Sequence, residues 1–259
     1  MTNVILCGCG GRMGQAIVRA AEDDSELRIL AGIDVNAGAL QAACKFPVYQ
    51  SVSEVPAHAD VIIDFSHHTA LPSLLEYGAA TGTPIVVATT GHTDEEKEMM
   101  LEASKKVAIF FSGNMSIGIN LLIELCKTAA ATLGESFDIE IIEKHHNKKL
   151  DAPSGTAIML ADAIKEERET TEYVYDRHSV RKARESSEIG IHSVRGGTIV
   201  GEHEVIFAGN NELISLSHTA TSREIFATGA LRAAKYLAKK DAGLYNMSGL
   251  INEQLNAEN

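Results

Sequence analysis

Positive charge is scarce in this chain. It carries 23 lysines and arginines against 35 aspartates and glutamates, a formal net charge of −12 with histidine neutral. A surplus of that sign repels phosphodiester backbones and anionic headgroups, so neither nucleic acid nor membrane is an expected partner. Cysteine is scarce too. Cys7, Cys9, Cys44 and Cys126 are scattered, with the spacing of neither a zinc site nor a disulfide framework. That usage points to a reducing compartment and a cytoplasmic protein. No signal peptide is read ahead of the first strand, and no apolar run is counted as long enough to cross a bilayer. Internal repeats and low-complexity tracts are absent. There is no HExxH, and an adjacent histidine pair chelates one ion poorly because neighbouring side chains diverge, so no metal is expected.

What remains is an ordinary globular composition. The 259 residues, 45% hydrophobic, suffice for one large domain or two small ones. Val4 to Cys7 is a short apolar run that enters GCGGRMG at 8–14, and Gln15 to Ala21 then reads as a helix. Strand, glycine loop and helix form the dinucleotide-binding arrangement, in which backbone approaches a pyrophosphate and a helix N-terminus faces its charge. Gly8, Gly11 and Gly14 space the motif as G-x-x-G-x-x-G, with Gly10 extra, which departs from the simple G-x-G-x-x-G.

A second strand, Arg28 to Ile33, ends at Asp34, 20 residues beyond Gly14. An acidic side chain there takes the ribose hydroxyls of NAD. Val35 and Asn36 follow, with no arginine to receive a 2′-phosphate, so NADH is favoured over NADPH, and Arg12 leaves NADPH use open. Alternation of strand and helix continues. Strands are read at Val61–Phe65, Pro84–Ala88 and Val107–Phe111, with helices at about Thr69–Ala80 and Asp94–Lys105. The pattern predicts a Rossmann-type, doubly wound parallel sheet with its ligand at the carboxyl ends of the strands. His67 and His68 follow one such end and are read as facing solvent.

The most distinctive stretch is EKHHNKKLDAPSGTA at 143–157. Phe137, Ile139 and Ile141 alternate with Asp138 and Glu140 as in a half-buried strand, and Thr156 to Arg168 has helical spacing. Two histidines and three lysines therefore sit between a strand and a helix. Asp151 and Ser154 are both candidate caps, and Pro153 and Gly155-Thr156 shape the approach. Helix N–H groups beside Lys144, Lys148 and Lys149 make a pocket for a carboxylate or phosphate, with His145 and His146 available for proton transfer.

Beyond a long helix at Ser116–Leu133 the pattern changes. Strands are read at Phe137–Ile142, Glu188–Ser193, Thr198–Val200, Glu202–Ala208 and Leu213–His218, which predicts an α+β domain with a mixed or antiparallel sheet. Arg195-Gly196-Gly197 reads as a turn and 165–188 as a charged, solvated loop. Ser222 to Lys239, capped by Ser222, is a helix returning to the first domain. The expected division is 1–114 with 225–259 for the dinucleotide, and 115–224 for substrate and oligomerisation.

These residues resemble a known family, the 4-hydroxy-tetrahydrodipicolinate (dihydrodipicolinate) reductases. The resemblance rests on GCGGRMG, on DFS at 64–66, on ATTG at 88–91, on the 143–157 stretch, on RGGTIVGEHEVIF at 195–207 and on HTATSRE at 218–224. It implies NAD(P)H-dependent reduction of a cyclic imine dicarboxylate on the way to diaminopimelate and lysine, by a homotetramer. His145 matches the family's proton donor and Lys149 its catalytic lysine. His146, Gly155 and Thr156 match substrate-binding positions. Gly8, Cys9, Gly10, Gly11, Arg12, Met13, Asp34, Ala88, Thr89, Thr90, Ser112, Gly113, Asn114 and Met115 match cofactor contacts. Two positions depart from the pattern: Met115 stands where an aromatic is frequent, and Asp34-Val35 where some members have Glu-Arg. Rival readings are another Rossmann dehydrogenase acting on an amino acid, a non-catalytic NAD(H)-binding regulator that binds NADH without turnover, and a hydrolytic metalloenzyme.

Overall fold

The computed structural model describes residues 1–168 and 172–257. The chain folds as two compact units, Met1–Ile117 with Arg223–Asn259, and Gly118–Ser222.

The first unit is a parallel sheet of β1 (Thr2–Cys7), β2 (Leu27–Ile33), β3 (Val48–Tyr49), β4 (Val61–Asp64), β5 (Ile85–Val87), β6 (Ala108–Phe111) and β12 (Gly243–Tyr245). Their order across the sheet is β12-β6-β5-β4-β1-β2-β3. The buried stretches Val4–Cys7, Val61–Ile63, Ile85–Val87 and Ala108–Phe110 are apolar at every position because both faces of the sheet are covered. Val4, Leu6, Val61, Ile63, Val86 and Phe110 face α1 (Arg12–Glu22), α7 (Glu224–Leu237) and α8 (Met247–Ala257). Ile5, Cys7, Ile62, Ile85, Val87 and Ile109 face α3 (Leu71–Thr81) and α4 (Asp94–Ser104). This is the doubly wound architecture that the alternation predicts. The sequence reading has no counterpart for β3, β12 or the short helix α2 (Ala37–Leu40). Strands of two and three residues carry too little periodicity to register.

The second unit holds a five-stranded mixed sheet, ordered β11-β10-β7-β9-β8. Its strands are β7 (Asp138–His145), β8 (Glu172–Val174), β9 (Glu188–Arg195), β10 (Gly201–Ala208) and β11 (Leu213–Ala220). β10 runs antiparallel to both β7 and β11, whereas β9 runs parallel to β7 and β8. One sheet face, with Ile139, Ile141, Ile191, Val205 and Phe207, packs against α5 (Ile117–Leu133) and α6 (Gly155–Lys165).

Several expectations change here. α5 extends into a segment, Ile117–Ser136, long and apolar enough by composition to span a membrane, which the sequence reading did not count. Its apolar content has a local use, because Ile119, Leu122, Ile123, Cys126 and Ala130 enter the second unit's core. The stretch Thr198–Val200 lies in the turn and loop between β9 and β10 and is not a strand. The charged stretch 165–188 contains β8, and Arg184 within it bonds Asp138 (2.6 Å) and Glu140 (3.1 Å). Helix α7 starts at Glu224, with Arg223 at its cap position instead of Ser222.

Candidate active site

In the first unit, β1 runs into the glycine loop. Gly8 has φ +76°, and a Cβ there would lie 2.5 Å from the Phe65 carbonyl oxygen. A Cβ on Gly14 would lie 2.2 Å from the Gly8 oxygen, so loop and helix meet only as glycine. α1 is capped by Gly11 with no side-chain hydrogen bond, so its first N–H groups, at Arg12 and Met13, have no intrahelical acceptor. Asp34, at the end of β2, accepts from Gly10 N–H at 3.0 Å and Asn36 N–H at 2.9 Å. Each oxygen keeps a further lone pair for a ribose hydroxyl. The carboxylate thus positions the loop as well as presenting itself to a ligand.

Asp34, Gly8 and Gly11 line a cavity of about 410 Å³ together with His67, Ser51 and Gln50. A second cavity, of about 300 Å³, is lined by Arg12, Met13, Ala88, Thr90, Gly113, Asn114 and Met115, with Arg223 and Phe226 from the helix after the second unit. An uncapped helix start, a close-approach glycine cradle and an acidic residue at the end of β2 fit a dinucleotide's pyrophosphate and ribose.

Other expected contact residues have structural duties. The Cys9 side chain is fully buried beside Gly32, and its thiol is pushed up to about 11 by burial and then by Asp34, so only its backbone faces a ligand. Thr89 Oγ1 donates to buried Asp64 at 2.9 Å, and burial raises the Asp64 carboxyl despite its hydrogen bonds. Ser112 Oγ donates to the Asn114 carbonyl at 2.8 Å, and Asn114 Oδ1 accepts from Ser116 N–H at 2.8 Å. Met115 is buried in the core, and its carbonyl abuts Gly229. His67 is exposed, but His68 is half-buried with Nδ1 2.8 Å from Glu96, which corrects its reading as solvent-facing.

In the second unit, β7 continues through Glu143 and His145 instead of ending at Ile142. Period-two alternation puts both on the buried face and sends Lys144 to the other, where it pairs with Glu202 at 2.9 Å. Lys144 is therefore withdrawn from the expected lysine pocket. Glu143 has no exposed surface and is the best-connected group of the site. Arg195 grips it bidentately, Nη1 to Oε2 at 2.8 Å and Nη2 to Oε1 at 2.6 Å. Ser154 N–H donates to Oε1 at 3.1 Å, and His145 Nδ1 lies 2.6 Å from Oε2. Burial alone would push this carboxyl up; hydrogen bonds from Arg195, Ser193 and His145 outweigh it and hold the group at about 2. Burial draws His145 below the ordinary imidazole range, Glu143 opposes this, and Lys149 and Arg195 add to it.

Arg195 ends β9 and is not in a turn, which is how it reaches across to Glu143. Ser154 caps α6, its Oγ accepting from Ala157 N–H at 3.2 Å and lying 3.1 Å from His203 Nε2. Asp151, the other candidate cap, instead pairs with Lys149 at 2.9 Å. Gly155 and Thr156 thus occupy the first positions of α6. His146 follows His145 and has a buried Nδ1 with no protein partner. His203, on β10 opposite Glu143, packs its ring edge-on to His145 at 5.2 Å and is pushed down to about 4, first by burial and then by His145. Among the described residues, no group of histidine, cysteine and carboxylate side chains is arranged to hold a metal.

Sequence reasoning assigned no role to Glu143, Arg195, His203, Arg223 or Phe226. Glu143 had a signal: it lies two residues before His145, on the same face of any strand running through both. For Arg195 and His203 the signal is tertiary, since strand order alone sets them beside Glu143.

A doubly wound unit with a dinucleotide cradle, joined in sequence to a unit carrying a histidine–carboxylate–lysine site, defines a nicotinamide-dependent oxidoreductase. The N-terminal family model of dihydrodipicolinate reductase matches residues 2–115, and the C-terminal model matches 118–251. The chain belongs to the dihydrodipicolinate reductase family. It is 53% identical to the 4-hydroxy-tetrahydrodipicolinate reductase of Caldanaerobacter subterraneus subsp. tengcongensis over 97% of this chain and 98% of that one. It is 50% identical to that of Clostridium novyi, over 97% and 98%. Among solved structures, it is similar to a dipicolinate-bound dihydrodipicolinate reductase from Paenisporosarcina sp. TG-14, with TM-score 0.77 and 26% identity over 95% of this chain and 97% of that one.

Proposed function

We propose that this protein reduces 4-hydroxy-tetrahydrodipicolinate, a cyclic imine dicarboxylate, to tetrahydrodipicolinate on the route to diaminopimelate and lysine. The carrying observation is that His145 and the α6 cap residue Ser154 both meet Glu143, while Lys149, paired with Asp151, lies near enough to act on the charge of His145. The dipicolinate bound to the Paenisporosarcina relative is a ring dicarboxylate, the class of anion this site suits.

The cofactor, when bound, supplies hydride. Gly8 to Met13 hold its pyrophosphate, and Asp34 its ribose. The absence of a cation at Val35 and Asn36 supports NADH over NADPH. In the second unit, His146 and the first N–H groups of α6 receive substrate carboxylate. Loss of the 4-hydroxyl as water sets a C4=C5 double bond in conjugation with the imine, and hydride supplied to C4 of that ring would leave an enamine that needs a proton on C5. His145 delivers the proton that completes the reduction, and Lys149 stabilises the developing negative charge. All four cysteines are free thiols, which supports the cytoplasm as the place of action. The family resemblance supports a homotetramer.

The test is a coupled assay. Aspartate semialdehyde, pyruvate and the preceding synthase generate the imine, and NADH and NADPH oxidation are followed separately. Synthase-dependent oxidation, faster with NADH, is expected. Oxidation that does not depend on the synthase, or none with either cofactor, overturns the reading.

A further inference from the structure

We propose that Glu143 is the positioning residue of this reaction: clamped by Arg195 and the α6 cap, it locks His145 in the orientation and tautomer that leave Nε2 as the nitrogen that handles the substrate's proton. The inference rests on the reductase reading for the substrate, but its geometric core stands within the second unit.

An ionised carboxylate accepts hydrogen bonds and cannot donate them. Glu143 is fully buried, with both oxygens engaged by Arg195 and one also by Ser154 N–H. Facing such a group at 2.6 Å, His145 Nδ1 must carry a hydrogen. The neutral ring therefore presents a bare Nε2, and only the imidazolium presents Nε2–H. The proton-donating form of His145 is thus the cation, and each turnover leaves the Nδ1–H tautomer, ready to be reprotonated at Nε2.

The surroundings favour the same nitrogen. A Cβ on Gly201 would lie 3.1 Å from His145 Nε2, so this β10 position keeps the Nε2 side open. The charged and titratable groups facing the ring come from four segments: Glu143 on β7, Lys149 in the following loop, Arg195 on β9 and His203 on β10. Lys149 and Arg195 oppose the cation, Glu143 supports it, and His203 stays neutral in the working range because its own value is about 4. Glu143 is the one group of the four that stabilises the donating form.

The experiment is Glu143→Gln in the full-length chain, with Gly201→Ala as a second variant and thermal melting as the check on folding. Three readouts are taken: kcat and KM for the imine, the pH profile of kcat, and the 15N tautomer signal of His145, assigned by its loss in His145→Gln. Wild-type kcat is expected to fall as pH rises through the His145 titration. In Glu143→Gln this limb moves to lower pH, kcat drops by about 10- to 100-fold, and KM changes little. The neutral His145 of wild type shows Nδ1–H, and Glu143→Gln shows a mixture of tautomers. Gly201→Ala lowers kcat while leaving the Nδ1–H signal in place. A folded Glu143→Gln with unchanged kcat and pH limb, or a wild-type His145 protonated on Nε2 when neutral, overturns the proposal. Failure of the reductase reading shows separately, as absence of turnover in wild type, while the tautomer signal still decides the hold of Glu143 on His145.

Discussion

His203 is a histidine that the fold keeps uncharged. It is buried on β10, with one nitrogen near Ser154 and the other without a protein partner. Its value falls from 6.5 to about 4, so between these pH values the unfolded chain binds a proton that the folded chain does not. Stability therefore rises with pH across this window and is lost on acidification through it, by up to about 3 kcal/mol. Denaturant unfolding from pH 7 down to 4.5 should show this slope, and His203→Asn should flatten it. An equally steep slope in the variant would remove His203 as the cause. His145 differs in carrying the proposed proton transfer. His145→Gln should cut kcat by about 100-fold or more with little change in KM, as steady-state rates in the coupled assay will read. The histidine pair was visible in the sequence because the motif is distinctive. The groups that tune it were not: Arg195 and His203 lie 50 and 58 residues from His145, and only sheet order brings them together.

At the scale of elements, Ser154 couples helix α6 to the sheet. Its Oγ caps Ala157 N–H, its N–H reaches Glu143, and its hydroxyl meets His203. Ser154→Ala removes the cap and leaves a buried imidazole nitrogen unpaired, which should cost about 1–3 kcal/mol in denaturant unfolding. A loss below about 0.5 kcal/mol would show that the cap is not a point of attachment. Regular elements were legible wherever period or punctuation was strong: β1, α1, β4, β5 and α5 follow from apolar runs and the glycine loop. The misses have physical causes. β7 and β9 were cut short because charged residues at their ends look like loop, yet these charges are satisfied by one another across the sheet. β8 and the Arg184 network hide in a charged stretch for the same reason: ion pairs make it part of the structure, whereas sequence alone shows only polarity.

For the whole molecule, the proposed division between a cofactor unit and a substrate unit rests on two kinds of sheet. The parallel sheet has both faces covered and ends in glycine loops. The mixed sheet has one face on the α5–α6 core and presents Val194 and Leu213 as exposed apolar side chains. A homotetramer predicts a mass near four times the 27.8 kDa chain in analytical ultracentrifugation, and a concentration-independent monomer would contradict it. The net charge of −12 makes local cations decisive for a dianionic substrate. Under the proposed function these are Lys148 and Lys149, the latter paired with Asp151 at 2.9 Å, since Arg195 is committed to Glu143 and Lys144 faces away. The central claim, hydride transfer to the cyclic imine, is tested most directly by isotope. The synthase-coupled reaction is run with NADH deuterated at both C4 positions, and the product is weighed by mass spectrometry. The account predicts tetrahydrodipicolinate heavier by a single deuterium on ring C4. NADH oxidation that leaves the product unlabelled would contradict it.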